Sequence, residues 1–548
     1  MPAIQNRLTT ARLRLERERR IRILHHQVKA NTRRATELHP VVMFAASTRL
    51  GGFSQNAAFA LLTAWGLQLE GVPVIHFACR AGMSRCVLGT NPDNPHQVPP
   101  CKACVAQSQK LYASATTQWF EYQPDAELAG AIKGLSLDEL GDFEFRISNF
   151  DFRIPLGSLV LPSLRWALRR HHLNDDEATR FLLREYIQSA YRVAVEFAAL
   201  LREADPRAVV LFNGLQFPEA AARWVARQFR IPVITHEVGF QPFSVFFSRR
   251  EVTAYPIDIP EDFELSPEQQ ARIEAHLSRR FQGEFTMAGI TFWPEMSALS
   301  QDFLQHATHF ERIVPIFTNV IFDTSQIHAN TIFSQMFAWL DLVLEIIRAH
   351  PETLFVIRAH PDEMRPGKQS RESVEEWVAA NHVGQLPNVI FVGSDENLSS
   401  YDLIRRSKFV MVYNSSIGLE ATLLGAAVLC GGKARYTQYP TVFLPPTPQA
   451  YREMAEEFLA AESITIPPEF ERNAWRVLYH QFYRASLPLD RYLEAHPTPG
   501  YVQLKAFAWR DLLPENSLTM RVILDGILNG EPFLMPEESG QPSAISGQ

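Results

Sequence analysis

Two kinds of apolar spacing alternate along this chain. Short apolar runs of four or five residues, the pattern of buried strands, give way to polar loops and then to stretches with apolar residues three and four apart, the pattern of helices packed on one face. The first unit opens with Val41-Val42-Met43-Phe44. It continues through a loop from Ser47 to Ser54 and a helix from about Asn56 to Glu70, and returns as a strand over Val72 to Phe77. Periodicity then predicts mostly helix from 115 to 205, with the loop Asn149 to Gly157 between helices. The rhythm resumes at Ala208-Val209-Val210-Leu211-Phe212, followed by an Asn213-Gly214 turn, a helix from Pro218 to Phe229 and the strand Pro232-Val233-Ile234-Thr235. A charge-rich segment, Glu261 to Gln282, reads as a linker and a helix. A second series then starts at Ile313-Val314-Pro315-Ile316-Phe317 and repeats strand and helix to Val428-Leu429-Cys430. Repeated units of this kind predict parallel sheets and an α/β protein with two Rossmann-like domains.

The ends are different. Residues 7 to 37 are rich in Arg, Leu and Ile and predict one basic helix, with Leu8, Ala11 and Leu15 on one side and Ile21, Leu24 and Val28 on a drifting continuation. Such a helix can lie on anionic lipid or dock on a partner, or it can pack its narrow stripe on its own domain. Pro467 to Leu493 is aromatic and helical, suited to packing back on the first domain, and the tail after Pro536 is polar and expected to be disordered. The chain thus divides into a basic helix (1–40), a first Rossmann-like domain (41–260), a linker (261–310), a second Rossmann-like domain (311–460), C-terminal helices (461–535) and a tail (536–548).

Composition narrows the classes. The 548 residues, 46% hydrophobic and 11% aromatic, are ample for two or three cores, and a formal net charge of −7 argues against a general nucleic-acid binder. No apolar run is long enough to span a bilayer, and the start lacks a signal-peptide core. The expectation is a cytoplasmic protein whose membrane contact, if any, is peripheral.

The densest chemistry lies between Leu354 and Tyr439. Arg358-Ala359-His360-Pro361 follows the strand Leu354-Phe355-Val356-Ile357, and open α/β sheets bind ligands at that end. The strand Phe409 to Tyr413 is followed by Asn414-Ser415-Ser416 and a helix that Gly425 can stop. Free N–H groups at a helix start favour an anion, and two serine hydroxyls add donors, so a phosphate fits there. Glu420 lies one turn beyond Ser416 on the same face, placed to accept from a ribose. Lys433, Arg435 and Tyr436 follow the next strand and can close on phosphate or sugar. Each has a plainer alternative: His360 as a structural bond, Ser415 as an N-cap, Glu420 as a helix residue, Cys430 as core.

The order His-Pro, then Asn-Ser-Ser-x-Gly-Leu-Glu-Ala, then Gly431-Gly432-x-x-x-Tyr436 resembles the bacterial capsule polysaccharide biosynthesis family, which includes the Kdo transferases of capsule assembly. The resemblance is concentrated between Pro315 and Tyr439. It implies a GT-B-like architecture, with two Rossmann-like domains facing across a cleft, and a transferase that moves a sugar from a nucleotide sugar, often a CMP-sugar, to a glycan or glycolipid acceptor. It also implies phosphate contacts for His360, Pro361, Ser415 and Ser416. No Asp-x-Asp triplet occurs, so the expectation is that protein donors, not a metal-bridged diphosphate, take the leaving charge. A polyol-phosphate transferase of the teichoic-acid type with a CDP-linked donor resembles this arrangement too. A non-catalytic GT-B-like scaffold that recruits export machinery through the basic helix is the other alternative.

On the first domain, Glu237 and Asp151 stand at or near loop ends, where either can take the acceptor's proton if burial raises its pKa; a carboxylate satisfying loop N–H groups is the alternative for each. His236 is more simply a structural hydrogen-bonding residue. Gly51-Gly52 can bring a ligand close to the backbone or merely make a tight turn. An insert from 79 to 104 holds Cys79-x6-Cys86-x14-Cys101-x2-Cys104. Four thiolates can close on a structural zinc or, with this first spacing, an iron–sulfur cluster; free cysteines are the third possibility.

Overall fold

The computed structural model describes residues 2–33, 39–46, 52–147, 150–281, 286–287, 290–291, 298–365, 367–498 and 500–537, backbone only at 2–10, 281, 286–287 and 290–291. The loop from Ser47 to Gly51, Asn149, and the tail from 538 lie outside these residues.

Each strand and helix series forms its own sheet. The first contains β1 (Val41–Ala45), β2 (Val74–Cys79), β3 (Thr116–Phe120), β4 (Ala208–Phe212), β5 (Val233–Val238) and β6 (Ser244–Ser248), ordered β6-β5-β4-β1-β2-β3. All neighbours are parallel except β5 and β6. The second is wholly parallel: β7 (Arg312–Phe317), β8 (Thr353–Arg358), β9 (Val389–Val392), β10 (Val410–Val412) and β11 (Val428–Cys430), ordered β9-β8-β7-β10-β11. The protein is α/β and GT-B-like, with two Rossmann-like sheets whose carboxyl ends meet at one cleft.

Both sheets are covered on both faces, which explains the unbroken apolar strands. In β1, Val41 and Met43 enter one core and Val42 and Phe44 the other, as the alternation of a strand requires. Helices α1 (Pro2–Asn31) and α2 (Gln55–Leu69) cover the first face, joined by α12 (Leu518–Asn529) near the C-terminus. α4 (Leu156–Leu168), α5 (Glu177–Ala204) and α6 (Glu219–Gln228) cover the second. In the second sheet, α8 (Met336–Ala349) lays Trp339, Leu340 and Val343 on Ile316 and Met411.

Several expectations change. The stretch from 115 opens with an edge strand, β3, because α3 (Cys101–Leu111) ends early enough for Thr116–Phe120 to pair with β2. Helix α1 buries Ile21, Leu24 and Val28, but Leu15 points outward, 67% exposed. Gly52 does not open the backbone to a ligand: a Cβ there would lie 2.3 Å from the Tyr501 ring, so the chain's own tyrosine fills that space. The C-terminal region is only partly helical. α11 (Pro468–Tyr479) packs on α10 (Ile417–Leu423) and α7 (Pro267–Phe281), and β12 (Leu487–Pro488) then adds antiparallel to β6, tying the chain's end into the first sheet.

Candidate functional site

A cleft of about 1530 Å³ runs between the carboxyl ends of the two sheets. On the second-domain wall, β8 ends at Arg358, whose carbonyl accepts from the N–H (3.2 Å) and hydroxyl (3.1 Å) of Thr318, binding the first loop of that sheet to the signature strand. Burial lowers the Arg358 guanidinium to about 10. His360 caps a short 3-10 turn, Pro361–Met364, with Pro361 at its first position, where a fixed φ suits the turn and a missing N–H costs nothing. The His360 Nδ1 accepts the N–H of Asp362 at 3.2 Å. A ring nitrogen that accepts carries no proton, so the neutral ring holds its hydrogen on Nε2. Burial lowers the His360 pKa, against Asp362 and Asp323, which favours this neutral donor.

After β10 the chain passes through Asn414, whose N–H donates to Asn319 Oδ1 at 3.2 Å and whose Oδ1 accepts from Gln326 at 3.3 Å. Ser416 stands at the start of α10 in helical conformation and makes no side-chain cap bond. The helix begins instead with Gly418 and Leu419 N–H groups donating to the Ser415 and Ser416 carbonyls, each at 3.1 Å. Capping therefore does not consume the Ser416 hydroxyl, and both serines line the cleft. As expected, Gly425 stops the helix, at φ +81°.

Two neighbours are placed differently from the sequence reading. Tyr436 is fully buried behind the turn, away from the cleft lining, and its hydroxyl donates to the Ser415 carbonyl at 2.8 Å. It shapes the turn that carries the two serines and does not face the cleft. Glu420 does line the cleft, 4% exposed, but its carboxylate is engaged: Arg280 Nη2 lies 2.5 Å from Oε1, and the Tyr401 hydroxyl donates to Oε2 at 2.5 Å. Arg280 comes from the last turn of α7 and Tyr401 from α9 (Ser400–Arg405). Nothing in the sequence marked either one; a single arginine at the end of a charge-rich helix looks like its solvated neighbours. Arg435 packs its guanidinium over Phe240 and Tyr255, 5.0 and 5.3 Å from the ring centres, and lines the cleft beside Lys433.

The first-domain wall presents Glu237 at the end of β5. Asn213 donates to its Oε2 at 2.9 Å and the Val238 N–H to its Oε1 at 2.9 Å. Burial raises its pKa and Asp323 adds to the rise, against the bonds from Asn213, Val238 and Asn56. Asn213 holds its side chain in reach from a left-handed turn, φ +59°, a conformation asparagine tolerates better than most residues. His236, next to it, is packed among Phe59, Phe212 and Phe247, with burial lowering its pKa to about 3; it is a neutral core ring. Asp151 is corrected: it stands exposed beside the small hairpin of Phe145–Arg146 and Arg153–Ile154, outside the cleft lining. Loop position suggested a cleft residue, but the hairpin turns that loop outward.

The four cysteines line another arm of the cleft with Met83, Val87 and Trp166. None of the four is in a disulfide, and burial pushes Cys79 and Cys86 up to about 12. Among the described residues no group of three or more His, Cys, Asp or Glu is arranged to hold a metal ion, so the expected zinc or iron–sulfur centre is not found. Cys79 ends a strand, Cys86 follows it in a loop and Cys101 and Cys104 open a helix, which makes the four thiols electrostatic neighbours along an apolar wall.

Comparison with known proteins falls on the same region. Residues 295–439 match the family described as capsule polysaccharide biosynthesis protein. No curated protein matches the chain. Among solved structures, the beta Kdo 2,4 transferase KpsC of Thermosulfurimonas dismutans is 14% identical, covering 56% of this chain and 87% of its own at a TM-score of 0.33. The beta Kdo 2,7 transferase KpsC of the same organism is 14% identical, covering 61% and 89% at 0.31. The UDP-GlcNAc 2-epimerase of Neisseria meningitidis is 13% identical, covering 79% and 94% at 0.25. The matched segment spans β7 to the end of the Gly431-to-Tyr436 run and contains His360, Ser415, Ser416 and Glu420; over these residues the chain is similar to the capsule polysaccharide biosynthesis family.

Proposed function

We propose that this protein is a glycosyltransferase of capsule or surface polysaccharide synthesis, which moves a sugar from a nucleotide sugar, of the CMP-sugar class, to a hydroxyl of a glycan or glycolipid acceptor. The observation that carries this reading is the opposition of two walls. One bears neutral and cationic donors (His360, Ser415, Ser416, Lys433, Arg435) and the other a half-buried carboxylate, Glu237, lining the same cleft.

In this reading the donor phosphate sits against Ser415, Ser416 and the Nε2–H of His360. Negative charge grows on that phosphate as the glycosidic bond breaks, so fixed donors stabilise the transition state more than the ground state. Protein groups supply this stabilisation directly. Glu237, whose pKa burial raises toward the working range, takes the acceptor hydroxyl's proton as the hydroxyl attacks the anomeric carbon. Asn213 holds the carboxylate in place. The apolar arm beside the cysteines suits the less polar part of an acceptor.

Contact with the inner face of a membrane is part of the same reading. No helix among the described residues is long and apolar enough to cross a bilayer. The outward side of α1 instead presents Arg19, Arg22 and Lys29 with Leu15 and Ile23, 67% and 46% exposed, a surface of the kind that rests on anionic lipid. The direct test is nucleotide release from CMP-, UDP-, GDP- and dTDP-sugars by the full chain, with and without glycolipid acceptor. Acceptor-dependent release from a CMP-sugar, lost in Glu237→Gln, is expected. No turnover of any nucleotide sugar, or full turnover by Glu237→Gln, contradicts the assignment.

A further inference from the structure

Glu420 was expected to grip a ribose, yet its two oxygens are held by Arg280 and Tyr401. The three side chains come from separate elements, α10, α7 and α9, and all line the cleft. The ion pair is buried, its side chains 13% and 6% exposed. Taking two charges out of water is costly, and apolar residues of similar volume often replace such a pair with no loss of stability. A pair of this kind on the wall of a ligand cleft is therefore poorly explained by stability alone.

Its position fits a second role. Glu420 is four residues beyond Ser416, about 6 Å along the helix at 1.5 Å per residue. That is the scale on which a nucleoside extends from its 5′-phosphate. A ligand whose phosphate meets Ser415 and Ser416 thus brings its nucleoside level with the Arg280 guanidinium. Arginine has donors only, set in a rigid planar fork, and pairs best with two neighbouring acceptors. Cytosine offers such a pair in O2 and N3. In uracil N3 carries a hydrogen, which puts a donor against a donor.

Resting on the nucleotide-sugar reading above, we propose that Arg280 reads the base of the donor and selects cytosine over uracil, with Glu420 and Tyr401 as positioning residues that fix the plane of its guanidinium. Arg280 supplies the hydrogen bonds; the other two act through it.

The test is calorimetric titration of the full chain with CMP and with UMP, for the wild type, Arg280→Lys and Tyr401→Phe. Lysine keeps the charge beside Glu420, so the buried pair is not left unbalanced, but it cannot make the two-donor fork. The wild type should prefer CMP, and Arg280→Lys should weaken CMP about tenfold while leaving UMP little changed, because a good two-bond contact to a base edge is worth that much discrimination. Tyr401→Phe should reduce the preference in the same direction and by less. The ratio of the two affinities is the informative quantity, since a loss of fold weakens both nucleotides together. CMP binding with the same preference in wild type and Arg280→Lys overturns the role of Arg280 and leaves the donor site standing. Failure of the wild type to bind either nucleotide overturns both.

Discussion

The Tyr436 hydroxyl donates to the Ser415 carbonyl at 2.8 Å, and the space it occupies is the space a side chain at Gly418 would need: a Cβ there would lie 2.2 Å from that oxygen. The turn that presents the two serines is thus set from behind by a buried residue. Tyr436→Phe should cost about 1 kcal/mol of stability, the net value of one hydrogen bond, and weaken nucleotide binding. Gly418→Ala should cost about 1–3 kcal/mol, because the tyrosine must move or the helix must shift. Denaturant midpoints at unchanged slope measure both.

Glu237 should govern the pH dependence of transfer. Burial raises its pKa, so the rate should climb with pH through a range above that of an ordinary carboxylate, as the base form appears. Glu237→Gln should retain nucleotide binding and lose about 10²- to 10⁴-fold in rate, with the rising limb gone from the pH–rate profile. A limb unchanged in the variant assigns the base elsewhere.

Glu363, within the turn that His360 caps, is 2% exposed, and burial pushes its carboxyl up to about 8, against a bond from the Val374 N–H at 3.3 Å. In the unfolded chain the same group ionises near 4.5. Between those values the unfolded chain gives up its proton while the folded chain keeps it. Stability should therefore fall as pH rises from about 5 to about 8 and level off above. Glu363→Gln should remove that share of the decline, which unfolding midpoints across the range will show.

Glu372 joins the two domains. Its Oε2 accepts the N–H groups of His171 at 2.7 Å and His172 at 3.0 Å, at the end of α4, and its Oε1 meets the His172 ring. Replacing it with alanine leaves two backbone donors to water and should cost about 1–3 kcal/mol. Because its loop follows the His360 turn, KM for the donor should rise more than kcat falls.

The proposed membrane contact can be separated from folding. Ile21, Leu24 and Val28 are part of the first core, so deleting α1 exposes that core and cannot isolate a surface role. Arg19→Glu with Arg22→Glu and Lys29→Glu alters only the outward side. At about 1 kcal/mol per cation near an anionic surface, the triple variant should lose at least tenfold in sedimentation with anionic vesicles and show no change with neutral ones.

The sequence carried the strands and the signature turn well and the partners of that turn poorly. Val41–Ala45 and Leu354–Ile357 are buried on both faces, so their runs were unmistakable, and His360, Ser415 and Ser416 follow strands at the end where a parallel sheet binds its ligands. Glu237 reached the cleft for the same reason. Asp151 did not, because its loop belongs to a hairpin that faces outward, and no local pattern gives that direction. Tyr436 and Glu420 were placed in the right neighbourhood, but their bonds to Ser415, Arg280 and Tyr401 depend on elements brought together only by tertiary packing. The cysteine spacing suggested a centre because spacing says nothing of the strand and helix that hold the thiols along one wall.

The most direct test of the central claim is thermal unfolding of the full chain with CMP, CDP, UDP, GDP and dTDP in turn, for the wild type, His360→Ala and Ser416→Ala. A ligand at a hundred times its dissociation constant adds about 2.7 kcal/mol to stability. The account predicts a clear rise with CMP that both substitutions abolish. A rise that survives both, or no rise with any nucleotide, contradicts it.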